Sequence, residues 1–267
     1  MDKTVGIIGN GFVGNAIYKN FKSRVTTKVF DIIKEKTINS YGEVIVSDYI
    51  FVCLPTPMSD DGSCNTSYVF DFFSNVPKDI KGLFVLKSTV PIGITDKIKL
   101  LRKDLNIVHN PEFLTATNAE RDFHMCDRNV IGGSNKDSEN LRDFLYSIFG
   151  EWKSVPCFLV SPKQSELIKY FSNCFLALKV AYFNNVFESC EKFGVTFDVV
   201  KDAISHDPRI GKSHTQVPGP DGHLGFGGYC FPKDINALIK TMNENQIDSG
   251  ILESAWDYNL KLRGNIQ

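Results

Sequence analysis

The sequence predicts an α/β fold: a doubly wound sheet over residues 1–160, followed by a mainly helical region over 161–267. Two observations predict it. Up to Val160, short apolar β-branched runs alternate with amphipathic segments, as parallel strands joined by crossover helices require. Beyond Val160 a long helical pattern begins and no further strong strand is expected.

Strands are expected at 4–8, 27–30, 49–54, 83–87, 107–109, 130–131 and 157–160, with helices between them at 13–21, 66–73, 94–103 and 136–149. Ser161, Pro162 and Gln164 then fit an N-cap, a first-turn proline and a capping-box partner. Leu167, Ile168, Phe171, Cys174, Phe175, Leu178, Tyr182, Val186 and Phe187 keep helical spacing up to Gly194, which predicts about thirty residues of helix. A helix so long and so widely apolar supports two partners. It is either a homodimer contact near 162–193 or a kinked pair of helices inside a monomer. Residues 198–205 add a helical turn or two, and 206–233 are rich in Gly and Pro, long for a structureless connection. Asp234 is expected to cap the next helix, and Ser249 a last one through Ala255, Trp256, Leu260 and Leu262.

A chain of 267 residues can bury one large core or two smaller ones. Thirty basic against thirty-one acidic residues leave a formal charge of -1, so no global field draws the chain to nucleic acid or a membrane surface. The start, MDKTVGIIGNGFVG, lacks the apolar length that spanning or secretion requires, which predicts a soluble cytoplasmic protein. Seven cysteines without a CxxC pair argue against a zinc knuckle or a disulfide scaffold, and five histidines without ligand spacing predict no intrinsic metal.

Gly9-Asn10-Gly11-Phe12-Val13-Gly14 follows an apolar strand and opens a helix, the context in which GxGxxG binds a dinucleotide and the sheet is Rossmann-like. Gly9 permits the tight turn, Gly11 lets the backbone approach a pyrophosphate, and Gly14 lets helix and strand pack closely. Asp31 ends the next strand, where its carboxylate accepts the adenosine ribose hydroxyls; this favours NAD. Lys34 and Lys36 keep NADP open, FAD is the minor alternative, and a purely structural turn is the bland one. Leu54-Pro55-Thr56-Pro57 and Lys87-Ser88-Thr89-Val90-Pro91 end two further strands on the carboxyl side, where such sheets bind ligands.

Gly225-Phe226-Gly227-Gly228-Tyr229-Cys230-Phe231-Pro232-Lys233-Asp234 places a thiol after glycines and before a helix. Unpaired N–H groups and the dipole stabilise a thiolate near a helix N-terminus. A lone cysteine is more often core than catalyst, yet core cysteines seldom need three nearby glycines. Lys169 and Asn173, four residues apart, share a face of the long helix. That face is either solvated or a buried polar pair lining a cleft. Glu112, after Asn110-Pro111, is a loop acid or a catalytic base.

Together these residues resemble the UDP-glucose/GDP-mannose dehydrogenase family over almost the whole chain. The likeness rests on the glycine fingerprint, the TP and STVP corners, Asn110 to Leu114 with Asp122-Phe123, Lys169 with Asn173, Asp207-Pro208-Arg209-Ile210-Gly211, and the segment up to Asp234. The resemblance implies two successive NAD-dependent oxidations of the C6 primary alcohol of a nucleotide sugar, UDP-glucose to UDP-glucuronate, through a thioester on Cys230. It implies that Lys169 and Asn173 stabilise oxyanion charge, Asp234 assists a water or proton, Thr89 orients that water, and Glu112 is the base of thioester hydrolysis. Gly9, Gly11, Phe12, Val13, Gly14, Asp31, Lys36, Thr56, Pro57 and Thr89 would contact the cofactor. Glu112, Phe113, Leu114, Lys169, Asn173, Arg209, Phe226, Gly227 and Gly228 would contact the sugar nucleotide, Arg209 across a dimer interface. The helical region would be the family's central dimerisation domain.

Three departures accompany the likeness. Ala116 stands where the family commonly has glutamate, and Tyr229 where it has serine or alanine. The family's third, UDP-binding domain is expected to be absent because the chain ends at Gln267, its role passing to this chain itself, its dimer mate or a separate partner, unless the substrate is a different conjugate. Two other functions stay open: another NAD-dependent alcohol or hydroxy-acid dehydrogenase, and a noncatalytic NAD-binding subunit.

Overall fold

The computed structural model describes residues 3–115 and 118–264, so Ala116 and the chain end at Gln267 lie outside the described residues. The chain divides into two compact units: one runs to Pro57 and resumes over Asn65–Lys169, the other holds Met58–Cys64 and everything from Tyr170.

The first unit is the sheet. Its strands are β1 (Thr4–Ile8), β2 (Thr26–Phe30), β3 (Tyr49–Val52), β4 (Leu83–Leu86), β5 (Asn106–His109), β6 (Asn129–Gly132) and β7 (Cys157–Val160). They lie in the order β2-β1-β3-β4-β5-β6-β7. All seven fall within two residues of the apolar runs that predict them. The connecting helices are α1 (Phe12–Phe21), α2 (Tyr41–Ile45), α3 (Ser67–Asn75), α4 (Ile94–Leu101), α5 (Ala119–His124) and α6 (Asn135–Ile148).

The period-2 alternation of side chains builds a core on each face of the sheet. Val5, Ile7, Tyr49, Phe51 and Val85 meet Phe21 of α1 and Leu141, Phe144 and Leu145 of α6. Their neighbours Ile8, Ile50, Val52, Phe84 and Leu86 meet Val44 of α2, Val69 and Phe73 of α3 and Ile98 of α4. Phe21 touches Phe51 and Phe149 with ring centroids 5.4 and 5.0 Å apart. Each such buried side chain contributes about 2–3 kcal/mol.

One expectation is corrected. The sheet is not all parallel, because β6 pairs antiparallel with β5 through His109 and Gly132, and β7 runs parallel to β6. Apolar periodicity is the same in either direction along a strand, so it carries no information about this reversal.

The second unit is helical: the greater part of α7 (Pro162–Phe193), α8 (Phe197–Ser205), α9 (Phe231–Glu244) and α10 (Gly250–Arg263). The α7 helix is continuous, with the predicted capping box: Ser161 N–H donates to Gln164 Oε1 at 2.9 Å and Gln164 N–H to Ser161 Oγ at 3.3 Å. It stops at Gly194, whose φ of +66° and the Val195 N–H bond to Cys190 O at 3.0 Å close the end in a Schellman turn. Among the described residues, no helix is long and apolar enough to cross a membrane.

Two capping expectations fail. Helix α9 begins at Phe231, ahead of Asp234, which is buried inside its first turn rather than capping it. Ser249 does precede α10, but its hydroxyl engages the side chains of Asn243 (2.8 Å) and Glu253 (2.6 Å) rather than a backbone N–H. On α10, Leu260 is exposed while Asn259 and Arg263 are buried in line with Leu252 and Ala255, so the inward face is apolar at its start and polar at its end.

Glu166, in the first turns of α7, is fully buried and replaces a missing cap elsewhere. Its carboxylate accepts the N–H groups of Gly93 and Thr95 (2.8 Å for Thr95) at the start of α4, whose own N-cap is a glycine with φ +89°. Glu166→Ala leaves those donors buried without an acceptor and is expected to cost about 2–4 kcal/mol, read from the urea midpoint; an unchanged midpoint would show that water replaces the carboxylate.

Candidate active site

In the first unit, the turn after β1 opens α1. Gly9 has φ +88°, and a Cβ there would press on the Cys53 carbonyl; a Cβ on Gly14 would overlap the Gly9 carbonyl, so close packing of helix on strand requires glycine. Gly11 is different: a Cβ there would meet nothing within 4 Å. It is the N-cap of α1 and supplies no side-chain cap, so first-turn N–H groups remain for a ligand. A groove along Gly11, Phe12, Asn15 and Lys36 starts there. Asp31 Oδ2 accepts the Asn10 N–H at 2.6 Å and Oδ1 the Ile33 N–H at 2.8 Å, which orients the carboxylate at the end of β2 and leaves lone pairs for ribose hydroxyls. These features fit a dinucleotide.

The two proline corners are stapled together. Thr56 Oγ1 donates to Thr89 O at 2.8 Å, and Ser88 Oγ both accepts from Leu54 N–H (3.0 Å) and donates to Leu54 O (2.7 Å). Beside them lies a buried cluster of charge. Lys169 Nζ donates to the Glu112 backbone carbonyl at 2.6 Å and to its Oε1 at 2.9 Å. Burial would raise the Glu112 carboxyl, but the charge and hydrogen bond of Lys169, the Leu114 N–H and the Lys87 charge together outweigh it and hold the acid below its ordinary range. Glu112 is therefore a carboxylate at neutral pH.

Lys87, directly after β4, stands in the Lys87–Pro91 corner that the sequence marks, but the sequence assigns it no role of its own. Its Nζ donates to Asn110 Oδ1 at 2.9 Å, while Asn110 Nδ2 donates to Val130 O at 2.8 Å, so two side chains fix the segment that carries Glu112. A signal does exist: a charge directly after the apolar run Leu83–Leu86, where solvent is absent. Burial pushes Lys87 down to about 8, against the opposing pull of Cys53 and Glu112. Likewise, burial pushes His109 down to about 3, so the ring is neutral between Ser165 Oγ (2.9 Å) and Ser88 O (3.3 Å).

In the second unit, Cys230 is the N-cap of α9, with Pro232 in the first turn. Of the seven cysteines it alone is exposed. Burial pushes Cys53 up to about 12, Cys126 to about 11 and Cys174 higher still, which leaves them protonated. One turn into α9, buried Asp234 accepts the Asn173 amide at 2.6 Å and pairs with Lys233. Burial would lower the Lys233 ammonium, but the charge and hydrogen bond of Asp234, together with Cys64 and Cys230, outweigh it and raise the group. Lys169 and Asn173 are thus both buried, as a polar pair rather than a solvated face, but with different partners. Arg209 is exposed and paired with Asp207 at 2.6 Å; its loop is held by Lys179, which donates to Ile210 O at 2.7 Å and Gly211 O at 2.9 Å.

The depressed Lys87 has a consequence for stability. Its folded-state value, about 8, lies below the 10.5 of an ordinary lysine, so the unfolded chain holds the extra proton between them. Stability from this group is fully present above 10.5 and is lost as pH falls through about 8. Lys87→Met should flatten the rise in unfolding free energy between those values; an identical pH slope in the variant would contradict the assignment.

Residues 163–261 match the UDP-glucose/GDP-mannose dehydrogenase family, central domain, and residues 26–150 match the same family's NAD binding domain, which makes the dinucleotide NAD. The chain is 39% identical over 222 residues to a UDP-glucose 6-dehydrogenase of Rickettsia prowazekii, covering 81% of this chain and 50% of that protein. It is 38% identical over 225 residues to the Rickettsia typhi enzyme of the same name, covering 82% and 50%. The chain thus spans about half the length of these relatives. Among solved structures, a UDP-glucose dehydrogenase from the archaeon Pyrobaculum islandicum superposes with a TM-score of 0.84 at 27% identity, covering 98% of this chain and 68% of that one. By both domain matches, in the order in which its two units follow one another, the chain belongs to the UDP-glucose/GDP-mannose dehydrogenase family.

Proposed function

We propose that this protein oxidises the C6 primary alcohol of a nucleotide sugar, UDP-glucose foremost, to the uronic acid through a covalent intermediate on Cys230. The observation that carries the reading is one exposed thiol, at the start of α9, one turn ahead of the buried Asp234–Asn173 pair. A helix N-terminus favours the negative charge a nucleophilic sulfur needs. The relatives' names support the substrate class.

NAD, when bound, supplies the hydride acceptor, and two molecules are consumed per sugar. The alcohol first loses a hydride and a proton to become the aldehyde. Cys230 sulfur then adds to the aldehyde carbon and forms a thiohemiacetal. Loss of a second hydride and proton leaves the thioester, and water cleaves its C–S bond to return the thiol and release the acid. A sulfur tether explains why the second oxidation precedes release.

The roles of the other residues follow their chemistry. Lys169 and Asn173 donate to the oxyanion that develops at C6. Glu112, an anion at neutral pH, takes the proton of the attacking water, which Thr89 orients. Asp234 assists that proton movement. On the cofactor side Gly9, Gly11, Phe12, Val13 and Gly14 hold pyrophosphate, Asp31 the ribose, with Lys36, Thr56 and Pro57 alongside. Phe113, Leu114, Arg209, Phe226, Gly227 and Gly228 line the sugar nucleotide. Exposed Leu167, Phe171, Phe175 and Tyr182 form an apolar stripe on α7 suited to a second copy of the chain.

Cys230→Ser should lower uronic acid formation from UDP-glucose by at least about a hundredfold while NAD affinity stays the same, with the product identified by mass and NADH counted per sugar. Two NADH per sugar in the wild type are expected; acid formation by the serine variant at the wild-type rate would remove the thiol from the reaction. Asp31→Ala should weaken NAD binding about tenfold in calorimetry, since two ribose hydroxyls lose a charged acceptor. Equal affinity would place the ribose elsewhere.

A further inference from the structure

Two buried polar side chains near the end of α10 hold the loop that leads into Cys230. Trp256, Asn259 and Arg263 recur at helical spacing, and Asn259 and Arg263 are only 2% and 7% exposed. A buried amide and guanidinium are costly unless their hydrogen bonds are made. They are made with backbone. Asn259 Oδ1 accepts the Phe226 N–H at 2.7 Å and its Nδ2 donates to Phe226 O at 3.1 Å, so the side chain pairs with both polar groups of one residue, as a neighbouring strand would. Arg263 Nη1 donates to Leu224 O at 3.2 Å and reaches Gly225 O at 3.4 Å, while Nη2 meets the Asp221 carboxylate at 2.6 Å. From α7, Asn184 Oδ1 accepts the Gly225 N–H at 2.9 Å. The Phe226 ring is buried, 6.1 Å from that of Trp256.

This contact explains two of the glycines ahead of the thiol. A Cβ on Gly225 would overlap Asn259 Oδ1, and one on Gly227 would overlap the Arg263 guanidinium. Gly228 differs, since its φ is +76° but a Cβ would meet nothing within 4 Å. Gly227 therefore answers to α10, while Gly225, with φ +73°, answers both to α10 and to its own backbone conformation.

We propose that Asn259 and Arg263 are positioning residues for the proposed reaction: they set the course of residues 224–228 and thereby preorganise the loop that hands the chain to Cys230. The proposal rests on the reading of Cys230 as nucleophile. A loop ordered during folding need not be ordered again when substrate binds, so the benefit falls on substrate affinity.

The experiment compares the wild type with Asn259→Ala, Arg263→Ala, Arg263→Lys, Gly227→Ala and the double variant Gly227→Ala/Arg263→Ala. Without substrate, hydrogen exchange at the Gly225 and Phe226 amides should accelerate at least about tenfold in Asn259→Ala, while the amides of β1 and β3 keep their wild-type protection. With UDP-glucose, KM should rise about tenfold with kcat changed less than about threefold and NAD affinity unaltered. Arg263→Lys, which keeps a donor for the loop carbonyls, should recover part of the loss. Without substrate, Gly227→Ala should accelerate exchange at the Gly225 and Phe226 amides by itself but add nothing to Arg263→Ala, because the group it displaces is already gone. Unchanged Phe226 exchange in Asn259→Ala, or exchange that accelerates further in the double variant than in Arg263→Ala, would overturn the proposal. Wild-type turnover with an unchanged KM in Asn259→Ala would also overturn it while leaving Cys230 catalysis standing. No NADH from the wild type would instead sink the catalytic reading, and with it the positioning role, even if the exchange pattern held.

Discussion

A buried ammonium needs an anion beside it, and the first turns of α7 are organised by that demand. Lys169 takes the carboxylate and the carbonyl of Glu112. One turn earlier Glu166 takes the first N–H groups of α4, and Ser165 meets His109 at the end of β5. Three polar positions thus reach the loops that follow β4 and β5, and each would be costly to bury without that partner. The strand-end loops on which the proposed chemistry depends are consequently held by one helix as well as by the bonds they make among themselves.

The second unit solves its burial problem in the same way. Asn173 engages Asp234, Asn184 engages Gly225, and Asn259 engages Phe226. Asparagine recurs because its amide carries both a donor and an acceptor and so can match a carboxylate or a peptide group. These bonds tie α7, the glycine loop, α9 and α10 to one another around the segment that contains Cys230. Hydrophobic packing, through Phe183, Cys190, Phe197 and Val217, supplies the cohesion of this unit, while the amides supply its register.

Much of the fold is legible in the sequence because the sheet is buried on both faces. Runs such as Leu83–Leu86 and Tyr49–Val52 stand out as apolar throughout. The nucleotide turn is legible from its glycines, and Cys230 from the unusual composition before it. Helices α2 and α5, of five and six residues, escape periodicity because so short a segment scarcely completes a repeat of 3.6. A signal for α2 exists in the capping box of Ser40 and Glu43. Asp234 reads as a cap in sequence because an acid near a helix start looks the same whether it bonds its own backbone or a distant amide. Lys87, Asn259 and Arg263 look like surface residues, since charge and amide are usually solvated.

The sequence by itself determined where strands and long helices lie, which turn carries the glycine fingerprint, and which thiol stands at a helix start. Those are local properties, written within a few residues by periodicity, glycine and proline. Only the tertiary structure decided that β6 runs against β5, that Lys169 meets Glu112 across 57 residues of chain and Asn173 meets Asp234 across 61, and that Asn259 and Arg263 of α10 are buried. The reason is that a buried polar group is stabilised by whichever complementary atom packing delivers to it, and that identity is not encoded in its neighbours along the chain.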